Sequence, residues 1–64
     1  MDPRHRAILA ALQDSPATLD ELGLRLGATP ESLAQGVLEL ELAGTIALDR
    51  DGRLCIVRPE RGGL

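Results

Sequence analysis

Apolar residues near the N-terminus recur at the three- and four-residue spacing that places side chains on one face of a helix. They are Ile8, Leu9 and Leu12. Asp2 and Pro3 precede them, and this pair suits an N-cap and a first helical position, because proline lacks the N–H that would be unpaired there. The pattern predicts helix one from about Pro3 to Gln13, ended by the run Asp14-Ser15-Pro16.

A second apolar stripe follows a capping signal. Thr18 and Glu21 have the spacing of a capping box, in which each side chain accepts a hydrogen bond from a backbone N–H at the helix start. The leucines behind them that share one face are Leu19, Leu22 and Leu26. We therefore predict helix two from about Leu19 to Leu26, with Gly27 in the left-handed conformation that ends a helix.

Helix three is predicted to start at the next cap. Thr29 and Pro30 form another N-cap and first-turn pair, and Gly44 terminates the segment. Its apolar stripe consists of Leu33, Val37 and Leu40. Because few residues separate helices two and three, the chain must turn sharply, and Gly23 is expected to let the two helices approach closely. The wedge between them is predicted to be Leu22, Leu26 and Leu33.

Beyond Gly44 the apolar period changes from helical to alternating. The alternating residues are Ile46, Leu48, Leu54 and Ile56. The turn sequence Arg50-Asp51-Gly52 lies between the two pairs, and an Asp-Gly pair flanked by alternating apolar residues is a strong hairpin signal. We predict a β-hairpin from about Thr45 to Val57.

Together these elements predict a mainly α fold with a small β-hairpin, of class α+β. A helix-turn-helix followed directly by a hairpin is the plan of a winged helix-turn-helix, with three helices and a two- or three-stranded wing sheet. We assign residues 1–58 to this domain and residues 59–64 to a flexible C-terminal tail, in which Gly62 and Gly63 occur.

The composition limits the functions to consider. A chain of 64 residues has room for one modest core, and its lack of Phe, Tyr and Trp removes the stacking platforms that single-strand binders use. The single Cys55 has no partner for an internal disulfide, and no Cys/His spacing suits zinc. We expect no cofactor, no metal site and no catalytic constellation, and therefore a binding module rather than an enzyme. We also expect no membrane segment and a cytoplasmic location.

The charge is acidic overall but unevenly distributed. The formal net charge is −3, which argues against a strong nucleic-acid binder. Residues 1–44 hold three arginines against seven carboxylates, whereas residues 45–64 hold four arginines against three. Positive charge is therefore concentrated at the C-terminal end.

Two runs carry a resemblance to a known family. Leu19-Asp20-Glu21-Leu22 and Val37-Leu38-Glu39-Leu40-Glu41-Leu42-Ala43-Gly44 resemble the C-terminal winged-helix domain of DNA-processing protein A, a bacterial recombination mediator of natural transformation. The resemblance covers roughly Arg6 to Val57. It implies a full protein that binds incoming single-stranded DNA through a Rossmann-like core and helps to load a recombinase in DNA recombination. This chain would then be an excised or separately expressed module of that protein.

Direct DNA contact is the first functional hypothesis. In the usual docking mode of a winged helix, helix three enters the major groove and the wing touches the flanking backbone. The candidate nucleic-acid-binding residues are Arg25, Ser32, Gln35, Arg50, Arg53 and Arg58. Ser32 and Gln35 would read base edges, while Glu31 and Glu39 would repel phosphates. The alternative is a solvated polar face, with the arginines paired to Asp49, Asp51 or Glu60.

Protein interaction is the alternative hypothesis. Leu38 and Leu42 form a second apolar ridge on helix three, which we expect helix one or the wing to cover in so small a domain. If uncovered, the ridge is a candidate interface with the Rossmann-like core, a recombinase or a second copy, and Leu42 is the more exposed member. Three other residues are assigned structural roles: Gly36 for close helix packing, His5 as an exposed titrating side chain with no carboxylate or cysteine at ligand spacing, and Cys55 as a half-buried thiol.

Overall fold

The structure is a computed structural model that describes residues 2–57, in which three helices precede an antiparallel hairpin. In chain order the elements are α1 (Pro3–Asp14), α2 (Leu19–Leu26), α3 (Pro30–Leu42), β1 (Ile46–Leu48) and β2 (Leu54–Ile56). The predicted α+β winged-helix plan is confirmed, and α1 extends one residue beyond its predicted end. The proposed tail at residues 59–64 lies outside the described residues.

Each helix begins at the cap that the sequence indicates. The Asp2 carboxylate accepts a hydrogen bond of 2.8 Å from the Arg4 N–H. In the capping box, the Thr18 N–H donates to Glu21 Oε1 at 2.9 Å, and the Glu21 N–H donates to Thr18 Oγ1 at 3.1 Å. Thr29 Oγ1 likewise accepts a hydrogen bond from the Ser32 N–H in the first turn of α3. These side chains pair N–H groups that have no partner within the helix.

The corner between α2 and α3 depends on two glycines. Gly27 has φ +66°, a left-handed conformation in which most side chains are strained. A Cβ at Gly23 would lie 2.6 Å from the Ala28 carbonyl oxygen and 3.6 Å from Pro30 Cδ. Gly23 therefore allows a close approach, as predicted, although the tightest contact is with the turn rather than with α3 itself.

The core lies where the three helices meet the hairpin. Ile8, Leu22 and Ile46, one residue each from α1, α2 and β1, are fully buried at its centre. The other buried apolar residues are Leu12, Ala17, Leu33, Val37, Leu40 and Leu54. Leu26, predicted as part of the α2/α3 wedge, is only partly buried against this cluster. The core is therefore built almost wholly from branched aliphatic side chains.

The wing is a two-stranded antiparallel sheet with one additional bridge. Ile46 pairs with Ile56 and Leu48 pairs with Leu54. Ala17, from the segment between α1 and α2, exchanges hydrogen bonds of 3.2 and 2.7 Å with Leu54. A third strand is thus reduced to a single bridge, which ties the wing to the helices.

No helix within the described part of the chain is long and apolar enough to cross a membrane.

Candidate functional site

The outer face of α3 presents two large apolar side chains to solvent. Leu38 is 54% exposed and Leu42 is 79% exposed, so the expectation that helix one or the wing covers them is wrong. Both covering elements pack on the opposite side of α3, where its buried residues are Leu33, Gly36, Val37 and Leu40. At about 100° per residue, the pair lies away from that stripe. We call Leu38 and Leu42 the leucine ridge.

The charge on α3 is of one sign. The helix contains Glu31, Glu39 and Glu41 and no lysine or arginine. Around the helix, Glu39 and Glu41 lie on opposite sides of the leucine ridge, and Glu31 lies on the same face nearer the N-terminus. The surface that a winged helix usually inserts into the major groove is here apolar with an acidic border.

The two predicted base readers on α3 are exposed but hydrogen-bonded locally. The Ser32 hydroxyl donates to the Thr29 carbonyl oxygen at 2.9 Å. The Gln35 amide Nε2 donates to Glu39 Oε2 at 3.4 Å. The Ser32 hydroxyl oxygen and the Gln35 Oε1 are still able to accept hydrogen bonds, so these local contacts orient the two side chains without excluding a base edge.

His5 has a partner that the sequence did not indicate. Its side chain is only 20% exposed, so the prediction of an exposed side chain is wrong, and its Nε2 lies 2.7 Å from Glu39 Oε1. The two residues are far apart in sequence, and only the crossing of α1 and α3 brings them together. The close helix packing predicted at Gly36 is confirmed, because a Cβ there would lie 3.2 Å from Ile8 Cδ1 and 3.5 Å from His5 Cδ2.

Arg25, at the end of α2, binds the end of α1. Its Nη1 donates to the carbonyl oxygens of Ala11 at 3.2 Å and Ser15 at 2.9 Å, and its Nη2 donates to Ser15 Oγ at 2.8 Å. A cation at a helix C-terminus also interacts favourably with the helix dipole. This candidate phosphate contact is therefore engaged in joining two helices.

The wing arginines Arg50 and Arg53 are both exposed, and neither side chain has a hydrogen bond or ion pair with another residue in 2–57. The Asp49 carboxylate, a predicted partner, instead accepts the backbone N–H groups of Asp51 at 2.8 Å and Arg53 at 3.0 Å. Arg58 and Glu60 lie outside the described residues.

The pKa of the Glu21 carboxyl, in the first turn of α2, is lowered by its surroundings. The backbone N–H of Thr18 lowers the pKa of Glu21 by hydrogen bonding to its carboxylate, and the positive charges of Arg53 and Arg25 lower that pKa further. Arg53 of the wing is therefore close enough to the start of α2 for its charge to act on the Glu21 carboxylate.

The single cysteine of the chain lies in β2. Cys55 is half-buried, as predicted, and its thiol lies 3.6 Å from the Ala47 carbonyl oxygen, which accepts its hydrogen bond. Among residues 2–57, no group of three or more His, Cys, Asp or Glu side chains is placed to hold a metal ion.

The DprA winged helix domain family matches residues 1–52, a span that includes the three helices, β1 and the wing turn. The chain belongs to this family. The resemblance to DNA-processing protein A that the α2 and α3 runs indicated is thus confirmed. No curated protein and no solved structure gives a significant match. Among residues 2–57 of this DprA winged helix domain, the leucine ridge is exposed and the wing arginines Arg50 and Arg53 make no hydrogen bond or ion pair.

Proposed function

We propose that this DprA winged helix domain is a protein-interaction module that docks through α3. The leucine ridge carries the proposal, because Leu38 and Leu42 are 54% and 79% exposed at adjacent turns of one helix. Contiguous exposed apolar side chains with a polar border are typical of interfaces. Membership of the DprA family makes a partner in DNA processing the natural expectation, either another part of the parent protein or a recombinase.

The charge of α3 argues against insertion into DNA. A reading helix gains affinity from lysine and arginine side chains that neutralise phosphates. Here α3 has three glutamates and no basic residue, and residues 2–57 as a whole hold five arginines against nine carboxylates. Docking of α3 into a groove would bring these carboxylates close to phosphates of the same charge.

Weak contact of the wing with DNA is the second candidate. Arg50 and Arg53 support it, since both are exposed at the wing tip and their guanidinium groups make no hydrogen bond or ion pair among residues 2–57, although the charge of Arg53 acts on Glu21. Such contact would be with phosphates, independent of base sequence and sensitive to salt. It is compatible with docking of α3 on a protein, because the two surfaces belong to different elements.

Site-specific photocrosslinking in cells tests the proposal. A benzophenone amino acid would replace Leu42 in the ridge, Leu24 on α2 as the matched control, or Arg50 at the wing tip. Leu24 is a suitable control because it is 84% exposed on another helix. We expect a discrete protein adduct, identified by mass spectrometry, from position 42 and not from position 24. A nuclease-sensitive adduct at position 42, or equal protein adducts at both positions, would overturn the proposal.

An NMR titration with a short DNA duplex at low salt tests the second candidate separately. We expect any shifts in the amide resonances to cluster around Arg50 and Arg53 and to vanish when both are changed to Glu. Shifts centred on Ser32 and Gln35 instead would contradict the exclusion of α3 from DNA.

A further inference from the structure

We propose that the leucine ridge recognises a cationic amphipathic segment, in which apolar side chains at helical spacing are flanked by lysine or arginine. The inference rests on the proposed docking function and specifies the chemistry of the partner. It follows from the shape of the exposed stripe on α3 and from the carboxylates around it.

The stripe has the dimensions of a helix-docking site. Ala34, Leu38 and Leu42 are all exposed and follow one another at four-residue spacing, which places them on one face over about 12 Å. An amphipathic helix with apolar residues at positions i, i+4 and i+8 presents a stripe of matching length. Two turns of such a helix would contact both leucines at once.

The border of the stripe is complementary to positive charge. The carboxylates of Glu31 and Glu41 make no hydrogen bond or ion pair with other residues of the described range 2–57. Glu39 is held in place by His5 and Gln35, so its charge has a defined position beside Leu38. Carboxylates on both sides of an apolar stripe favour a partner that places ammonium or guanidinium groups at its edges.

The same border disfavours a symmetric pair of domains. A second copy docked ridge to ridge would place the glutamates of one α3 opposite those of the other, since a two-fold interface brings the same patch together from both chains. Like charges at close range oppose such an association. A cationic segment meets the same apolar stripe without this repulsion.

Two synthetic peptides serve as probes. One is an amphipathic helix with leucine at four-residue spacing and lysine at the flanking positions, and the other has glutamate in place of every lysine. Binding to the isotope-labelled domain is followed by amide chemical shifts at low and at high salt. We expect the lysine peptide to shift resonances from Leu38 to Leu42, more weakly at high salt, and the glutamate peptide to leave them unchanged.

Variants separate the two contributions to binding. Changing Leu38 and Leu42 to Ser should weaken binding of the lysine peptide roughly tenfold or more, whereas Leu24→Ser, on α2, should have no effect. Changing Glu31 and Glu41 to Lys should reverse the preference in favour of the glutamate peptide. Circular dichroism confirms that each variant is folded, which is expected because the four side chains are not part of the buried core.

Three results would overturn the inference. They are equal binding of both peptides, binding of the lysine peptide away from α3, and no binding of either peptide. None of them decides the docking function, which depends on the photocrosslinking at position 42. Conversely, the crosslink at position 42 could be absent while the lysine peptide still binds selectively. That result would reject docking in the cell but leave the charge preference of the ridge in place.

Discussion

Replacing Gly23 with alanine should destabilise the domain, even though alanine is the better helix former. Gly23 is buried in α2, and an added Cβ would lie 2.6 Å from the Ala28 carbonyl oxygen. That oxygen belongs to the backbone of the α2/α3 corner. The corner is held by a hydrogen bond of 2.9 Å from the Ala28 N–H to the Gly23 carbonyl oxygen, so the obstructing atom cannot move without shifting the chain.

Two opposing terms set the magnitude. Alanine gains about 1 kcal/mol over glycine in a helix interior. Overpacking costs typically about 1–3 kcal/mol, and the upper end applies because the atom in contact is backbone. The net loss in the free energy of unfolding is therefore about 1–2 kcal/mol. A domain of this length has a total stability of roughly 3–9 kcal/mol, so the loss is readily measured.

Denaturant unfolding followed by far-ultraviolet circular dichroism is the assay. Gly36→Ala is the matched control, because the added Cβ at 3.2 Å would face Ile8 Cδ1, the end of a side chain that can adjust. There the helix-propensity gain and the packing cost should nearly cancel. The reasoning is refuted if Gly23→Ala leaves the midpoint unchanged or raises it, or if Gly36→Ala is the more destabilising change.

Two further predictions concern the contacts that hold the helices and the wing together. Arg25→Met should lower the free energy of unfolding by about 1 kcal/mol because α1 loses its capping hydrogen bonds, and Arg25→Lys should have an intermediate effect. Denaturant midpoints measure both variants. A wild-type midpoint for Arg25→Met would contradict the capping role. The lowered pKa of Glu21 means that its carboxylate stabilises the fold above its ordinary pKa of 4.5, a contribution lost as pH falls through the lower folded-state value. Glu21→Gln, which keeps the hydrogen-bond acceptor, should therefore flatten the decline of thermal stability with pH below 4.5, and an unchanged pH profile would count against this account.

The caps and turns could be predicted because their causes are local. The capping box of Thr18 and Glu21, the left-handed Gly27 and the Asp-Gly wing turn each depend on residues within a few positions. Helical periods identified the buried faces of the helices, whereas of the alternating hairpin residues only Ile46 and Leu54 are buried, and the fold class followed from the order of the elements. Sequence pattern also distinguished Leu42 as the more exposed ridge residue.

The candidate site was less predictable because it depends on which surfaces remain uncovered. A leucine on the second face of α3 has the same sequence signal whether another element packs on it or not. Only the packing of α1 and β1 on one side of α3 shows that Leu38 and Leu42 are exposed. Leu48 in β1 is likewise 59% exposed, although Leu54, its partner across the hairpin, is buried.

The sequence by itself determined where each helix begins, where α1 ends to within one residue, where the chain turns, and that the charge of α3 is negative, since these properties arise from neighbouring residues. Tertiary structure alone decided that His5 meets Glu39, that Arg25 caps α1, and that the leucine ridge faces solvent. Each of these joins or separates residues from different elements. Such contacts are set by the crossing of helices around a shared core, which no local pattern encodes.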